Sequence, residues 1–134
     1  MMKSQLEIIE DFEIFDDWME KYQYIIDLGK DLDKLDDADK IEANKLQGCQ
    51  SQVWIIHQLV NDKIIFKAES DAAIVAGLVA LVLSIYSDKS AEEIIATKPT
   101  FIAEIGLDKH LSGTRSNGLS SLLNKIQEIA KSYI

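Results

Sequence analysis

Val53-Trp-Ile-Ile-His-Gln-Leu-Val-Asn-Asp-Lys-Ile-Ile-Phe-Lys-Ala68 decides the fold. Two runs rich in β-branched and aromatic residues flank Asn61-Asp62, and both loop residues tolerate left-handed backbone angles, so the stretch predicts a hairpin with a two-residue turn. That turn sets the register. Leu59 faces Ile64, His57 faces Phe66 and Ile55 faces Ala68 on one side; Val60–Lys63, Gln58–Ile65 and Ile56–Lys67 lie on the other. The first side is expected to face the core, which makes His57 a half-buried histidine satisfied among apolar neighbours rather than a metal ligand. Upstream, Ile41 to Leu46 reads as a short third strand.

Downstream, Ala72 to Tyr86 is apolar nearly all round, the pattern of a buried central helix. Ser70 or Asp71 suits its N-cap, and Gly77 inside it suits a close backbone approach. Ser90-Ala-Glu-Glu93 matches a capping box for a short helix to Ala96, and Pro99 stands where another short helix can begin. His110 falls in a surface connector after Gly106. Leu119, Leu122, Leu123, Ile126, Ile129, Ala130 and Tyr133 form an apolar stripe, predicting a last helix from about Thr114 to Ser132 capped by Ser112. At the other end, Ile8, Phe12, Phe15, Met19 and Tyr22 recur at helical spacing, predicting helix from about Ser4 to Leu28 with room for a break near Met19–Tyr22. Gly29 suits the C-terminal stop. Lys30 to Glu42 has neither period and reads as a solvated connector. The expected class is α+β: a three-stranded antiparallel sheet packed against several helices, with residues 1–134 as one domain.

The chain has 134 residues and a net charge of −9. Residues 1–44 carry 14 acidic residues and 5 lysines, and the remainder carries 9 acidic and 9 basic residues, so the excess sits in the first third. This balance excludes the basic stripe that nucleic-acid binding needs. The longest near-apolar run, Ala72 to Leu83, is too short to span a bilayer, and the N-terminus lacks a basic region followed by an apolar segment. A cytoplasmic setting is the expectation, in keeping with a single thiol.

Cys49 is the only cysteine. It cannot form an intramolecular disulfide, and with two histidines it falls short of a zinc pattern, so neither a metal site nor a bound cofactor is expected. On composition a solitary cysteine is more often an inert small hydrophobe than a nucleophile. Gly48 before it and the amide and hydroxyl side chains around it nevertheless suit a loop or turn, which narrows the gap between a packed and a reactive thiol. Reactivity requires positive potential. Arg115, the only arginine, sits in the first turn of the last predicted helix, where a cation opposes the helix dipole; a surface arginine without a role and a functional one are equally consistent with this. Asp71 is explained as a cap. Glycine-rich phosphate loops, nucleophile elbows and His-x-x-x-His pairs are absent, and His57 lies too far along its strand to pair with Cys49.

Three stretches change the reading: Gly48-Cys49-Gln50-Ser51-Gln52-Val53-Trp54, Ser70-Asp71-Ala72-Ala73-Ile74-Val75-Ala76-Gly77-Leu78, and Leu111-Ser112-Gly113-Thr114-Arg115-Ser116-Asn117-Gly118-Leu119. In this order and spacing they resemble the SufE family, sulfur acceptors of iron–sulfur cluster assembly. The segment Trp18-x-x-Lys21-Tyr22-x-Tyr24-Ile25-Ile26-Asp27-Leu28-Gly29 extends the resemblance, so that it covers about Phe12 to Ala130. One departure is Gly113, where the family often has proline; it loosens the helix start near Arg115.

The resemblance implies a chain that takes persulfide sulfur from a pyridoxal-phosphate cysteine desulfurase of the SufS kind onto Cys49, stimulates that enzyme, and passes the sulfur to an iron–sulfur scaffold. It implies support of the thiolate or its loop by Arg115, and partner binding by Gly48, Gln50, Ser51, Gln52, Asp71 and Asn117. It also implies the fold shared with IscU-type scaffolds, although one cysteine cannot supply a cluster's ligands. A thiol redox sensor and a non-catalytic interaction module are the readings that compete with it.

Overall fold

The structure is a computed structural model that describes residues 5–48 and 51–134. The hairpin forms as its turn chemistry dictates. β1 (Val53–Val60) and β2 (Lys63–Ser70) are antiparallel, with Leu59↔Ile64, His57↔Phe66 and Ile55↔Ala68 in register. Asn61 and Asp62 both take positive φ, as a tight hairpin turn of this twist requires.

Among the described residues the sheet has two strands, not the three expected. Glu42–Asn44 winds into a 3₁₀ turn instead of extending, and the would-be third strand is reduced to a single bridge, Lys45↔Trp54. Ile41 is half exposed there, so it has no core contact to reward an extended conformation. On the other side of β2, the Ile64 N–H donates to the Lys89 carbonyl (2.9 Å), and the Asp88 N–H to that of Ile64 (2.8 Å).

α3 (Ala73–Tyr86) is the central element, with Leu78, Val79, Leu81, Val82, Leu83 and Ile85 all buried. Its N-cap is Ala72, which makes no side-chain cap hydrogen bond; neither Ser70 nor Asp71 caps it as expected, because Asp71 is engaged elsewhere. α2 (Trp18–Lys30) crosses α3 at Gly77 and Gly29. A Cβ at Gly77 would fall on the carbonyl of Ile25, and one at Gly29 would lie 2.6 Å from the Gly77 nitrogen. The helices therefore touch backbone to backbone.

The N-terminal helix is two helices. α1 (Gln5–Glu13) ends before Asp17, whose carboxylate accepts from the Glu20 N–H (2.8 Å) and starts α2 afresh. The restart changes the helical phase, so Met19, placed on the apolar stripe by spacing alone, is 82% exposed, while Ile8 and Phe12 are buried. The acidic connector after α2 is pinned rather than merely solvated. Leu35 is buried, its N–H donates to Glu69 (2.9 Å), and Lys40 pairs with Glu69 at 2.7 Å. This bond holds the Glu69 carboxyl below its ordinary range and lifts the Lys40 ammonium above its own.

The caps read at Ser90 and Ser112 form. Ser90 accepts from the Glu93 N–H (3.2 Å) and opens α4 (Ala91–Ala96). Ser112 accepts from the Arg115 N–H (3.3 Å) and opens α7 (Gly113–Ser132). Between them lie α5 (Phe101–Ile105), which Thr100 rather than Pro99 precedes, and α6 (Leu107–His110), a helical turn where a connector was expected. Burial pushes the Tyr86 hydroxyl up to about 12, and it donates to the Thr97 carbonyl (3.0 Å), tying α3 to the end of α4.

His57 corrects the expectation of a half-buried core histidine: it is exposed, as is Leu59, while their cross-strand partners Phe66 and Ile64 are buried, so near the turn the core covers β2 and leaves β1 at the edge. Its Nδ1 pairs with the Tyr133 hydroxyl (2.7 Å), joining β1 to the end of α7. Desolvation, with a lesser contribution from Lys125, lowers its pKa below 6.5. The unfolded chain therefore binds more protons just below that value, and stability should fall as pH drops from 6.5 toward the folded pKa. Urea midpoints at about pH 7.5 and about pH 5.5 test the sign, and His57→Gln should reduce the difference.

Candidate functional site

The three stretches, far apart in sequence, meet around one cavity of about 370 Å³. Leu46, Ser51 and Val53 border it from the loop between the 3₁₀ turn and β1. Ala72, Ile74, Val75, Leu78 and Val79 come from the start of α3, and Ser112, Thr114, Arg115, Gly118, Leu119 and Leu122 from the start of α7. Its interior is aliphatic and its rim carries hydroxyls. Arg115 is the one charged side chain among the described lining residues.

The loop is held at its neck. The Leu46 N–H donates to the Val53 carbonyl (2.7 Å), and the Asp71 carboxylate accepts from the Gln52 N–H (3.0 Å) while the Asp71 N–H reaches the Gln52 carbonyl (3.3 Å). Asp71 therefore clasps the loop instead of capping α3. Gly48 has φ +87°, and a Cβ there would run into the Ser121 hydroxyl of α7. The loop thus rests on α7 at a residue whose backbone favours glycine. Cys49 and Gln50, central to the sequence reading, lie outside the described residues.

Two helix N-termini border the same cavity. α7 is a 20-residue helix, and the N-terminus of α3 has no side-chain cap. The partial positive charge of helix N-termini adds to the guanidinium of Arg115 at the rim, so an anion formed there is favoured over its neutral form. The aliphatic interior, by contrast, favours a neutral or sheltered group.

Of the residues singled out in the sequence, the structure brings Gly48, Ser51, Gln52, Asp71 and Arg115 to this cavity or its loop. Asn117 is exposed on α7 and does not border the cavity. Sequence reasoning missed Ser121, Leu46 and Thr114 as parts of the site. Ser121 carried no signal, since its role depends on the contact with Gly48. Ser112→Ala should cost about 1 kcal/mol through loss of the cap, measured by urea unfolding, and should loosen the turn that carries Arg115.

The SufE family, described as an Fe-S metabolism associated domain, matches residues 6–130. An uncharacterised SufE-like protein from Rhizobium meliloti is 43% identical over 97% of this chain and 96% of its own length. Another, from Rhizobium etli, is 45% identical over 97% of this chain and 91% of its own. The solution structure of a hypothetical protein from Thermus thermophilus superposes with a TM-score of 0.78, covering 98% of this chain and 97% of that one at 17% identity, a likeness of fold. With two close relatives and a matching family domain over nearly its whole length, this chain belongs to the SufE family, a domain associated with Fe–S metabolism.

Proposed function

We propose that this protein accepts persulfide sulfur from a cysteine desulfurase onto Cys49, stimulates that enzyme in doing so, and passes the sulfur on for iron–sulfur cluster assembly. The observation that carries this reading is the rim of the cavity: Arg115 and two helix N-termini beside the loop whose described flanks are Gly48 and Ser51. These are the surroundings in which a thiol ionises.

In the transfer step the Cys49 thiolate attacks the outer sulfur of the desulfurase persulfide. A new S–S bond forms to Cys49, the S–S bond on the desulfurase breaks, and the desulfurase cysteine leaves as thiolate, with no net oxidation or reduction. The pyridoxal phosphate that generates the persulfide belongs to the desulfurase. A persulfide must be sheltered between reactions, yet a buried thiol attacks poorly. Motion on docking resolves this, with Gly48 permitting the backbone change that presents the thiol to the desulfurase. Asp71 sets the neck about which the loop moves, and Gln50, Ser51, Gln52 and Asn117 meet the partner.

The test is mass spectrometry of the protein after incubation with a desulfurase and free cysteine. One or more added sulfur atoms on the Cys49 peptide are expected. An unchanged mass, with the desulfurase active, would overturn the proposal.

A further inference from the structure

The turn that carries Arg115 has little to hold it. Among the described residues Gly113 has no neighbour within 4 Å of where a Cβ would stand, Thr114, Arg115 and Asn117 are exposed, and the first buried residue of α7 is Leu119. Its position is handed down from the segment before it, through the bond of the Arg115 N–H to the Ser112 hydroxyl. That segment is gripped by α2. The Trp18 ring stacks on His110 with centroids 3.9 Å apart and planes 19° from parallel, and the Tyr22 hydroxyl donates to the His110 carbonyl. Lys21 stands 4.8 Å from the Trp18 centroid, and Trp18 also lies against the Gly106 turn ahead of α6. Below the clasp, Leu107 is fully buried and accepts from the Leu111 N–H (3.0 Å).

We infer that Trp18, Tyr22 and His110 are positioning residues for Arg115: a clasp from α2 sets where the first turn of α7 stands at the rim of the cavity. The inference rests on the sulfur-transfer reading above. None of the three borders the cavity, so they act through the turn and not on the reacting sulfur. Stacked rings hold a fixed mutual geometry, and here that geometry fixes a connector whose neighbouring turn is otherwise exposed.

The test is a double-mutant cycle on the intact protein, reading the rate of sulfur uptake from a persulfidated desulfurase at saturating and limiting protein. His110→Ala removes the stack; Tyr22→Phe keeps the ring and removes only the hydroxyl, protecting the test against a folding defect. Each is combined with Arg115→Ala. Misplacement of a supporting group by a fraction of an ångström should lower the maximal rate by about five- to tenfold. In the Arg115→Ala background the same substitutions should cost nothing further, because the group they position is gone. Amide exchange across Ser112–Gly118 should quicken in His110→Ala while that of the hairpin stays unchanged. Full rates in both single variants, or losses that add to that of Arg115→Ala, would overturn the clasp while leaving sulfur transfer standing. An Arg115→Ala protein that accepts sulfur at the parent rate would remove the role of Arg115, and the clasp with it.

Discussion

Gly77→Ala should destabilise the protein by on the order of 3 kcal/mol, although glycine to alanine inside a helix ordinarily gains up to about 1 kcal/mol. The sign reverses because the added methyl would fall on the Ile25 carbonyl of α2, and neither backbone can withdraw without opening the contact between the two helices. Urea unfolding measures the loss. Gly113→Ala is the matched control, since no described residue lies within 4 Å of its Cβ position; it should be neutral or stabilising. If Gly77→Ala proved as stable as the parent, the backbone-to-backbone packing of α2 on α3 would be wrong. The consequence reaches the site, because α3 supplies one wall of the cavity and α2 holds the segment that leads into α7.

Cys49→Ser should abolish sulfur uptake while leaving the unfolding midpoint within about 0.5 kcal/mol of the parent. Serine keeps the size and loop compatibility of cysteine, but its hydroxyl is not ionised near neutral pH and cannot carry a persulfide. The two readouts separate the competing accounts. A packing role for Cys49 predicts lost stability with desulfurase activation retained, whereas a sulfur carrier predicts the reverse. Radiolabelled sulfur transferred to the serine variant at the parent level would end the carrier proposal. Asp71→Ala should act differently: releasing the clasp on Gln52 frees the loop without removing the thiol, so it should alter the rate of uptake and not the final extent.

Much of the fold was legible in the sequence because its signals are local. The register of β1 and β2 follows from Asn61-Asp62, which leaves one pairing compatible with a two-residue turn. The caps at Ser90 and Ser112 could be read for the same reason, each being complete within four residues. The errors arose where elements compete. Apolar spacing ran unbroken from Ile8 to Tyr22, yet Asp17 restarts the helix and exposes Met19; a period reports a face but not a slip of phase. Ile41 to Leu46 has strand-like composition, but extension there gains only the bridge at Lys45 and the bond from Leu46, so a 3₁₀ turn takes most of the segment. Asp71 looked like a cap because capping is what aspartate does before a helix; its carboxylate went to Gln52, which no local pattern foretells.

By itself the sequence determined the α+β class, the hairpin register, the buried central helix and the family, because turn chemistry, apolar period and three short stretches are properties of the chain alone. Tertiary structure decided what those stretches do for one another. Only the packing of α2 on α3 through Gly77, and of α7 on α3, brings Ser51, Ala72 and Arg115 to one cavity, since residues that far apart in the chain are made neighbours by burial and not by spacing. Arg115 illustrates the difference. In the sequence it is a lone cation on the unfavourable end of a helix; in the fold it stands at an aliphatic cavity beside two helix N-termini, where positive charge is useful to an anion.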